Sequence, residues 1–290
     1  MGAVDTAKNA HDTSAQAQVE QLGKIAVIGG GNIGEALIAG LVVAGVEPTS
    51  IFATNRSPER SAQLAERYGI ITGSDNSEAV TDASICFLCV KPGQILEVLE
   101  EISDTIARHD ESTAVVSMAA GITLASMESA VSAAGTPLVR VMPNTPMLVG
   151  KGVHVAASGR YVDEVKRAQV LEALAVTGHV VEVPEKLIDA ATAVSGSGPA
   201  YFYYFTEALI DAGVSLGLPR DVARELAVAT ASGAGEMLLG GKTPAQLRYD
   251  VSSPAGTTAM AIRELEESGV RGALYRATEA AAKRSAELGQ

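Results

Sequence analysis

The sequence has no tryptophan, and aromatic residues of any kind make up only 4% of its 290 positions. Its cores therefore have to be built from Ala, Val, Leu and Ile in close packing, which a 47% apolar content allows. Cations are also scarce. Lys and Arg number 22 against 34 Asp and Glu, a formal net charge of −12, and no block of basic residues appears. Nucleic-acid binding needs a basic surface that displaces counterions, so a polyanion partner is disfavoured and no nucleic acid is expected. An anionic ligand would have to find positive potential locally.

Cysteine is nearly absent. The two present lie in Ile85-Cys86-Phe87-Leu88-Cys89-Val90, a spacing that suggests a redox or metal motif. The run has the look of a buried strand, however, and residues three apart on a strand point to opposite faces. Two small core residues in a reducing compartment are the expectation. A long uninterrupted apolar run is missing too. The richest candidate, starting at Pro199 and reaching Val214, is broken by Glu207 and Asp211 on one helical face, which argues against a membrane span. Residues 1–21 are polar, with neither a basic start nor an apolar core, and are expected to form a flexible tail, not a signal peptide. Met1-Gly2 with Thr6 fits a loose myristoylation pattern, but no polybasic segment accompanies it as a second anchor, and the match is taken as chance.

What is present is alternation. Short β-branched runs at 24–28, 50–53, 84–89, 113–117 and 138–142 are separated by helical patterns, which predicts a parallel doubly wound sheet, with strands near 152–156 and 179–183 extending one edge around a helix at 162–173. Beyond Pro184 the strand signal stops and helices are expected at 185–193, 200–216, 220–239, 244–251, 257–268 and 271–288. The fold class is thus α/β: an N-terminal Rossmann-type domain over 22–183, then an all-helical domain over 184–290. The near-continuously apolar helix from Ala200, and the small residues of Ala227-Val-Ala-Thr-Ala-Ser-Gly-Ala-Gly235, suggest helix faces that bury against a second subunit.

The first chemical constellation is Gly29-Gly30-Gly31-Asn32-Ile33-Gly34, a Gly-x-Gly-x-x-Gly turn between a strand and an Ala/Leu-rich helix. Gly29 turns the chain, Gly31 lets backbone amides approach a pyrophosphate, Gly34 lets helix and strand pack, and the helix start supplies positive potential. About twenty residues on, where a chain that binds NAD places an acid for the adenine ribose, stand Asn55, Arg56 and Ser57. An amide, a guanidinium and a hydroxyl suit a 2′-phosphate, so NADPH is the expected cofactor and NADH the less favoured one. Arg56 as a solvated charge is the bland alternative. Val90, Lys91 and Pro92 leave the sheet where the nicotinamide should lie, and Asn76 is placed to face the adenosine; both Lys91 and Asn76 also fit plain turn or surface positions.

The second constellation is Ser252-Ser253-Pro254-Ala255-Gly256-Thr257-Thr258, which opens a helix with hydroxyls and little bulk. Free amides there can hold a carboxylate or phosphate, although an ordinary N-cap explains the spacing as well. No metal site is expected. His11, His109, His154 and His179 lie apart from one another and from other ligand-type residues, and each is expected at the surface or a sheet edge.

From about Lys24 to Leu288 the chain resembles pyrroline-5-carboxylate reductase. The motifs that carry the resemblance are the glycine turn, Val90-Lys91-Pro92, Ser117-Met-Ala-Ala-Gly121, Arg140-Val-Met-Pro-Asn-Thr-Pro146, Ser195-Gly-Ser-Gly-Pro-Ala-Tyr201 and Val251-Ser-Ser-Pro-Ala-Gly-Thr-Thr258. The resemblance implies reduction of 1-pyrroline-5-carboxylate to L-proline, by hydride transfer from NADPH to the imine carbon in the cytoplasm. It also implies a homodimer with interlocked C-terminal helices, alone or within a larger ring of dimers. By the same resemblance Ser253 and the amides of Gly256, Thr257 and Thr258 hold the substrate carboxylate, and Thr258 is a proposed proton donor, better regarded as an orienting or water-relayed group because threonine is a poor acid. Ala119 and Ala120 would lie along the nicotinamide ribose, and Asn76 would contact the cofactor. One departure stands out: family members carry Gly-Gly after the proline, and this chain has Ala255-Gly256. A positive φ at Ala255 would cost on the order of 1 kcal/mol, so the alanine predicts an ordinary backbone there. Two rival readings remain, a β-hydroxyacid or ketopantoate-type dehydrogenase and a dinucleotide-sensing binding protein. The first usually relies on a lysine that is absent around Ser195–Tyr201, and the second predicts a degraded second constellation.

Overall fold

The computed structural model describes residues 22–109 and 112–289; the expected tail, and His11 within it, lie outside them. The chain divides into two compact units, Met1–Gly196 together with Ala282–Gln290, and Ser197–Ala281.

The first unit is built on β1 (Ile25–Ile28), α1 (Asn32–Val43), β2 (Ile51–Thr54), α2 (Pro58–Tyr68), β3 (Ile71–Gly73), α3 (Asn76–Val80), β4 (Ile85–Leu88), α4 (Ile95–Ile106), β5 (Ala114–Ser117), α5 (Leu124–Ala130), β6 (Leu138–Met142), β7 (Gly152–Ser158), α6 (Glu164–Ala175), β8 (Gly178–Glu182) and the short α7 (Ile188–Ala191). The strands form one eight-stranded sheet in the order β3-β2-β1-β4-β5-β6-β7-β8, parallel throughout except for β6 against β7. Central strands β1, β2, β4 and β5 are buried at every residue, as helices on both faces of a parallel sheet require. On α4, Ile95, Leu99 and Ile102 are fully buried, and each contributes about 1.5–3 kcal/mol relative to exposure. The order reverses between β1 and β4, which defines the crevice where such sheets bind ligands.

The two cysteines sit as strand geometry dictates. Cys86 belongs to the core on one face of the sheet and Cys89 packs against the core on the other; both are free thiols. Burial pushes the Cys89 thiol up to about 12 and raises that of Cys86 as well, so neither is a reactive thiolate near neutral pH.

The compact first unit runs past the sequence-based boundary at 184, because Arg140 of β6, itself buried, draws the following segment in. Its Nη1 lies 3.2 Å from Glu185 Oε1 and its Nη2 3.7 Å from Asp189 Oδ1. Asp189 in turn accepts a 2.7 Å bond from Ser285 Oγ, near the C-terminus of the chain.

The second unit consists of α8 (Gly198–Ser215), α9 (Arg220–Leu238), α10 (Pro244–Asp250), α11 (Thr257–Glu267) and most of α12 (Val270–Leu288). Small residues let α8 and α9 approach: a Cβ on Gly213 would stand 3.2 Å from that of Ala223. The unit covers little of its own apolar surface. Phe202, Tyr203, Tyr204 and Phe205 of α8 are all more than half exposed in the single chain. Four consecutive helical residues point all round the helix, and exposed apolar surface of this extent marks an interaction site. Among the described residues no helix is long and apolar enough to cross a membrane.

One histidine departs from the surface or edge position expected of it. His154 is fully buried on β7, its Nε2 2.8 Å from Thr177 Oγ1, while His179 is exposed on the edge strand β8. Thr177 donates its hydroxyl proton to Leu174 O, so it accepts from His154 Nε2–H, and Nδ1 is left without a partner. A second proton on Nδ1 would be a buried, unpaired charge, and burial pushes the group down to about 4. The folded state therefore resists a proton that the unfolded chain accepts below about 6.5. The stability is fully present above that pH and is lost as pH falls toward 4. Denaturant unfolding should show a loss of about 2 kcal/mol between pH 7 and pH 5 that is absent from His154→Leu; an equal loss in the variant would assign it to other groups.

Candidate active site

The loops at the carboxyl edge of the parallel strands bring the first constellation together. Leaving β1, the chain turns at Gly29 with φ +98°, where a Cβ would meet the Cys89 carbonyl group at 2.9 Å. At Gly34 a Cβ would stand 2.1 Å from Gly29 O, so the first turn of α1 closes directly on the end of β1. Gly31 is different. It is exposed, has nothing within 4 Å of an added Cβ, and serves as N-cap of α1 without any side-chain cap bond. The amides beyond it, at Asn32 and Ile33, thus begin a helix whose positive end is open to a ligand. Crowding at Gly29 and Gly34 with open space at Gly31 is what a dinucleotide pyrophosphate needs, so the residues fit the group.

Around this turn the predicted residues fall on neighbouring loops. Asn55, Arg56 and Ser57 follow β2, Asn76 starts α3 after β3, Val90, Lys91 and Pro92 follow β4, and Ala119 and Ala120 follow β5. Arg56 and Lys91 are exposed, and the hydrogen bonds and ion pairs of the described residues leave both side chains uncommitted. Ala119 is buried and presents only backbone and a methyl group. Ser57 is the N-cap of α2, where its Oγ accepts from Arg60 N at 3.2 Å and donates to Glu59 Oε2 at 2.6 Å. Asn76 bridges two elements, accepting from Thr54 Oγ1 at 2.7 Å and donating to Glu101 Oε2 at 2.9 Å. Asn55 turns inward, its Oδ1 accepting from Gly30 N at 2.7 Å.

Two residues at this edge were not singled out from sequence. Arg60 donates from Nε to Gly30 O at 2.8 Å and pairs with Glu35 of α1, which also receives Arg67 Nη1 and the Tyr68 hydroxyl, each at 3.0 Å. The Arg60 guanidinium first, and the Tyr68 hydroxyl with it, hold the Glu35 carboxyl below the usual carboxylate range against a partial desolvation that raises it. The signal in the sequence is Glu35 itself, an acid in the first turn of α1, where the helix dipole favours a negative charge.

The second constellation lies within the second unit. Gly256 N donates to Ser253 O at 3.0 Å, closing a turn with Pro254 and Ala255 at its centre, and α11 starts at Thr257 with Gly256 as N-cap and no side-chain cap bond. The first-turn amides of α11 are therefore available to an anion, and the Thr257 and Thr258 hydroxyls are uncommitted among the described residues. A Cβ on Gly256 would meet Ser253 Oγ at 2.4 Å, so a larger residue there would push that hydroxyl aside. The expected ordinary backbone at Ala255 is not what the structure holds. Its φ is +57°, the left-handed region. With proline second and a positive φ third, the turn has the pattern of type II, and closure of the 253–256 turn overrides the preference of an L-residue.

More than nine-tenths of the chain has solved and sequenced counterparts. It is 58% identical over 267 residues to a pyrroline-5-carboxylate reductase of Corynebacterium melassecola, covering 92% of this chain and 98% of that one. Among solved structures, a pyrroline-5-carboxylate reductase from Coxiella burnetii matches with a TM-score of 0.89 at 35% identity, over 93% of this chain and 100% of that one. Pyrroline carboxylate reductase from Plasmodium falciparum, solved with NADP bound, matches with a TM-score of 0.80 at 32% identity, over 93% and 99%. Residues 24–121 match the family model described as NADP oxidoreductase, coenzyme F420-dependent, and residues 185–288 the one described as pyrroline-5-carboxylate reductase dimerisation.

The doubly wound sheet with its glycine turn defines the class as an NAD(P)-dependent oxidoreductase. Within that class, the chain belongs to the pyrroline-5-carboxylate reductase family.

The left-handed alanine gives a direct test. Replacing it with glycine removes strain of about 1–2 kcal/mol and adds unfolded-state entropy of about 0.4–1 kcal/mol. Ala255→Gly should therefore stabilise the protein by about 0.5–1 kcal/mol in denaturant titration; destabilisation would show that the turn is not left-handed at this residue.

Proposed function

We propose that this chain reduces 1-pyrroline-5-carboxylate to L-proline, the last step of proline biosynthesis, with NADPH as the preferred cofactor. The observation that carries the reading is a match that runs through both halves at once, the dinucleotide turn and the uncapped helix start with its hydroxyls. When bound, NADPH supplies the hydride, from carbon 4 of its nicotinamide. Residues 22–183 hold the cofactor, and residues 184–290 provide the substrate site and the dimer contact.

On this reading Gly29, Gly31, Asn32, Ile33 and Gly34 receive the pyrophosphate. Arg56 faces the 2′-phosphate, Asn76 the adenosine, and Val90, Lys91, Pro92, Ala119 and Ala120 line the nicotinamide end. Ser253 Oγ and the amides of Thr257 and Thr258 hold the substrate carboxylate, beside Gly256, whose own N–H closes the turn on Ser253 O, and this fixes the imine carbon in place. Holding two reactants in register and neutralising the carboxylate are the main catalytic contributions. The Thr258 hydroxyl lies in the same first turn and orients the ring nitrogen, directly or through water. One hydride on carbon and one proton on nitrogen complete the amine, and the proton is in place beforehand if the imine binds as an iminium.

The exposed aromatic residues of α8 support a homodimer through interlocked C-terminal helices, alone or as the unit of a ring of dimers. Two free cysteines and a biosynthetic role support a cytoplasmic location.

Initial rates of 1-pyrroline-5-carboxylate reduction should give a higher kcat/KM with NADPH than with NADH; no rate with either cofactor would remove the reading. In the double variant Ser253→Ala, Thr258→Ala, loss of charge-assisted hydrogen bonds of about 1.5–3 kcal/mol each should lower kcat/KM by about 100-fold or more. Activity retained within a few-fold would move the substrate site elsewhere.

A further inference from the structure

Both backbone polar groups of Gly30 are taken by side chains from the segment after β2. Its N–H donates to Asn55 Oδ1 at 2.7 Å, and its carbonyl accepts from Arg60 Nε at 2.8 Å. The contact is close as well as polar, since a Cβ on Gly30 would stand 2.4 Å from Leu64 Cδ1 of α2. The preceding residue is held by the same strand, Gly29 N donating to Thr54 O at 3.0 Å. Arg60 is fixed from behind by Glu35, and Glu35 by Arg67 and Tyr68. The glycine turn of β1–α1 is thus locked to α2 by a chain of bonds that ends on its central residue. Arg56, between Asn55 and the α2 cap, takes no part and stays exposed.

We propose that Asn55 and Arg60 are positioning residues that hold the pyrophosphate turn for either nicotinamide dinucleotide, and that Arg56 alone among the three discriminates the 2′-phosphate. The inference rests on the cofactor reading above and changes the role of Asn55, whose Oδ1 is held by Gly30 N and whose Nδ2, the donor a phosphate would need, is directed at Ser61 Oγ 3.5 Å away. The Arg60 guanidinium is spent on Gly30 O and on Glu35 and offers no free charge to the adenosine end. Arg56 brings one.

The test is direct binding, with dissociation constants for NADPH and for NADH taken from nucleotide fluorescence on the full-length protein and melting temperatures measured alongside. Arg60→Gln and Asn55→Leu should weaken both nucleotides by the same factor, about tenfold for the loss of one hydrogen bond to a charged or part-buried partner. Arg56→Gln should weaken NADPH by about tenfold or more and leave NADH within about twofold. Asn55→Asp keeps the acceptor for Gly30 N and adds a negative charge, so NADH binding should persist while NADPH binding falls. Glu35→Gln, a milder change, should weaken both nucleotides equally even if Asn55→Leu fails to fold. The proposal is overturned if Arg60→Gln weakens NADPH alone, which would make Arg60 a phosphate ligand, or if melting temperatures fall with both constants unmoved, which would make the contacts merely structural. Wild-type protein that binds neither nucleotide would overturn the cofactor reading itself, a separate result.

Discussion

The structure depends on how closely α1 comes down on the end of β1. Gly34 admits no side chain because Gly29 O occupies its place, and Gly29 itself needs a left-handed φ and a clear path past the Cys89 carbonyl. That contact sets the height of α1 over the sheet and aims its N-terminus into the crevice between β1 and β4. Every loop with a candidate cofactor residue leaves the same edge, because parallel strands put all their carboxyl ends on one side. A cluster drawn from positions between 29 and 120 is therefore a consequence of topology and needs no separate cause.

The second unit obeys a different constraint. Its helices are rich in Ala and Gly, which lets them approach closely, but they leave their aromatic residues outside. A domain that buries Ala223 and Ala227 while exposing Phe202, Tyr203, Tyr204 and Phe205 leaves much apolar surface uncovered, and it lies within the residues matched by the pyrroline-5-carboxylate reductase dimerisation model. The uncapped start of α11 belongs to this unit, so the candidate anion site and the exposed aromatic residues share one scaffold.

Much of this was legible in the sequence because it follows from local rules. Strand and helix alternation gave the sheet, glycine spacing the turn, and the strand period the opposed cysteines. The third strand escaped because Ile71–Gly73 is three residues long and half exposed, too short for a periodic signal. His154 escaped because a polar residue in an alternating strand reads as outward, and only the α6 layer over β7 makes it inward. At Ala255 the local preference of alanine was outweighed by the bond from Gly256 N to Ser253 O, which lies outside any single-residue propensity. The clamp on Gly30 needs four segments at once, from 30, 35, 55 and 60 to 68, and no spacing rule encodes it.

The proposed function rests on one step, hydride transfer to an imine carbon. That step can be followed atom by atom with NADPH deuterated at carbon 4 of the nicotinamide and 1-pyrroline-5-carboxylate as substrate, reading the mass and the position of the deuterium in the product. Direct transfer requires L-proline carrying one deuterium at carbon 5 when the transferred face is the labelled one. Oxidation of the cofactor without labelled proline from either face, or proline whose carbon-5 hydrogen comes from solvent, would contradict it.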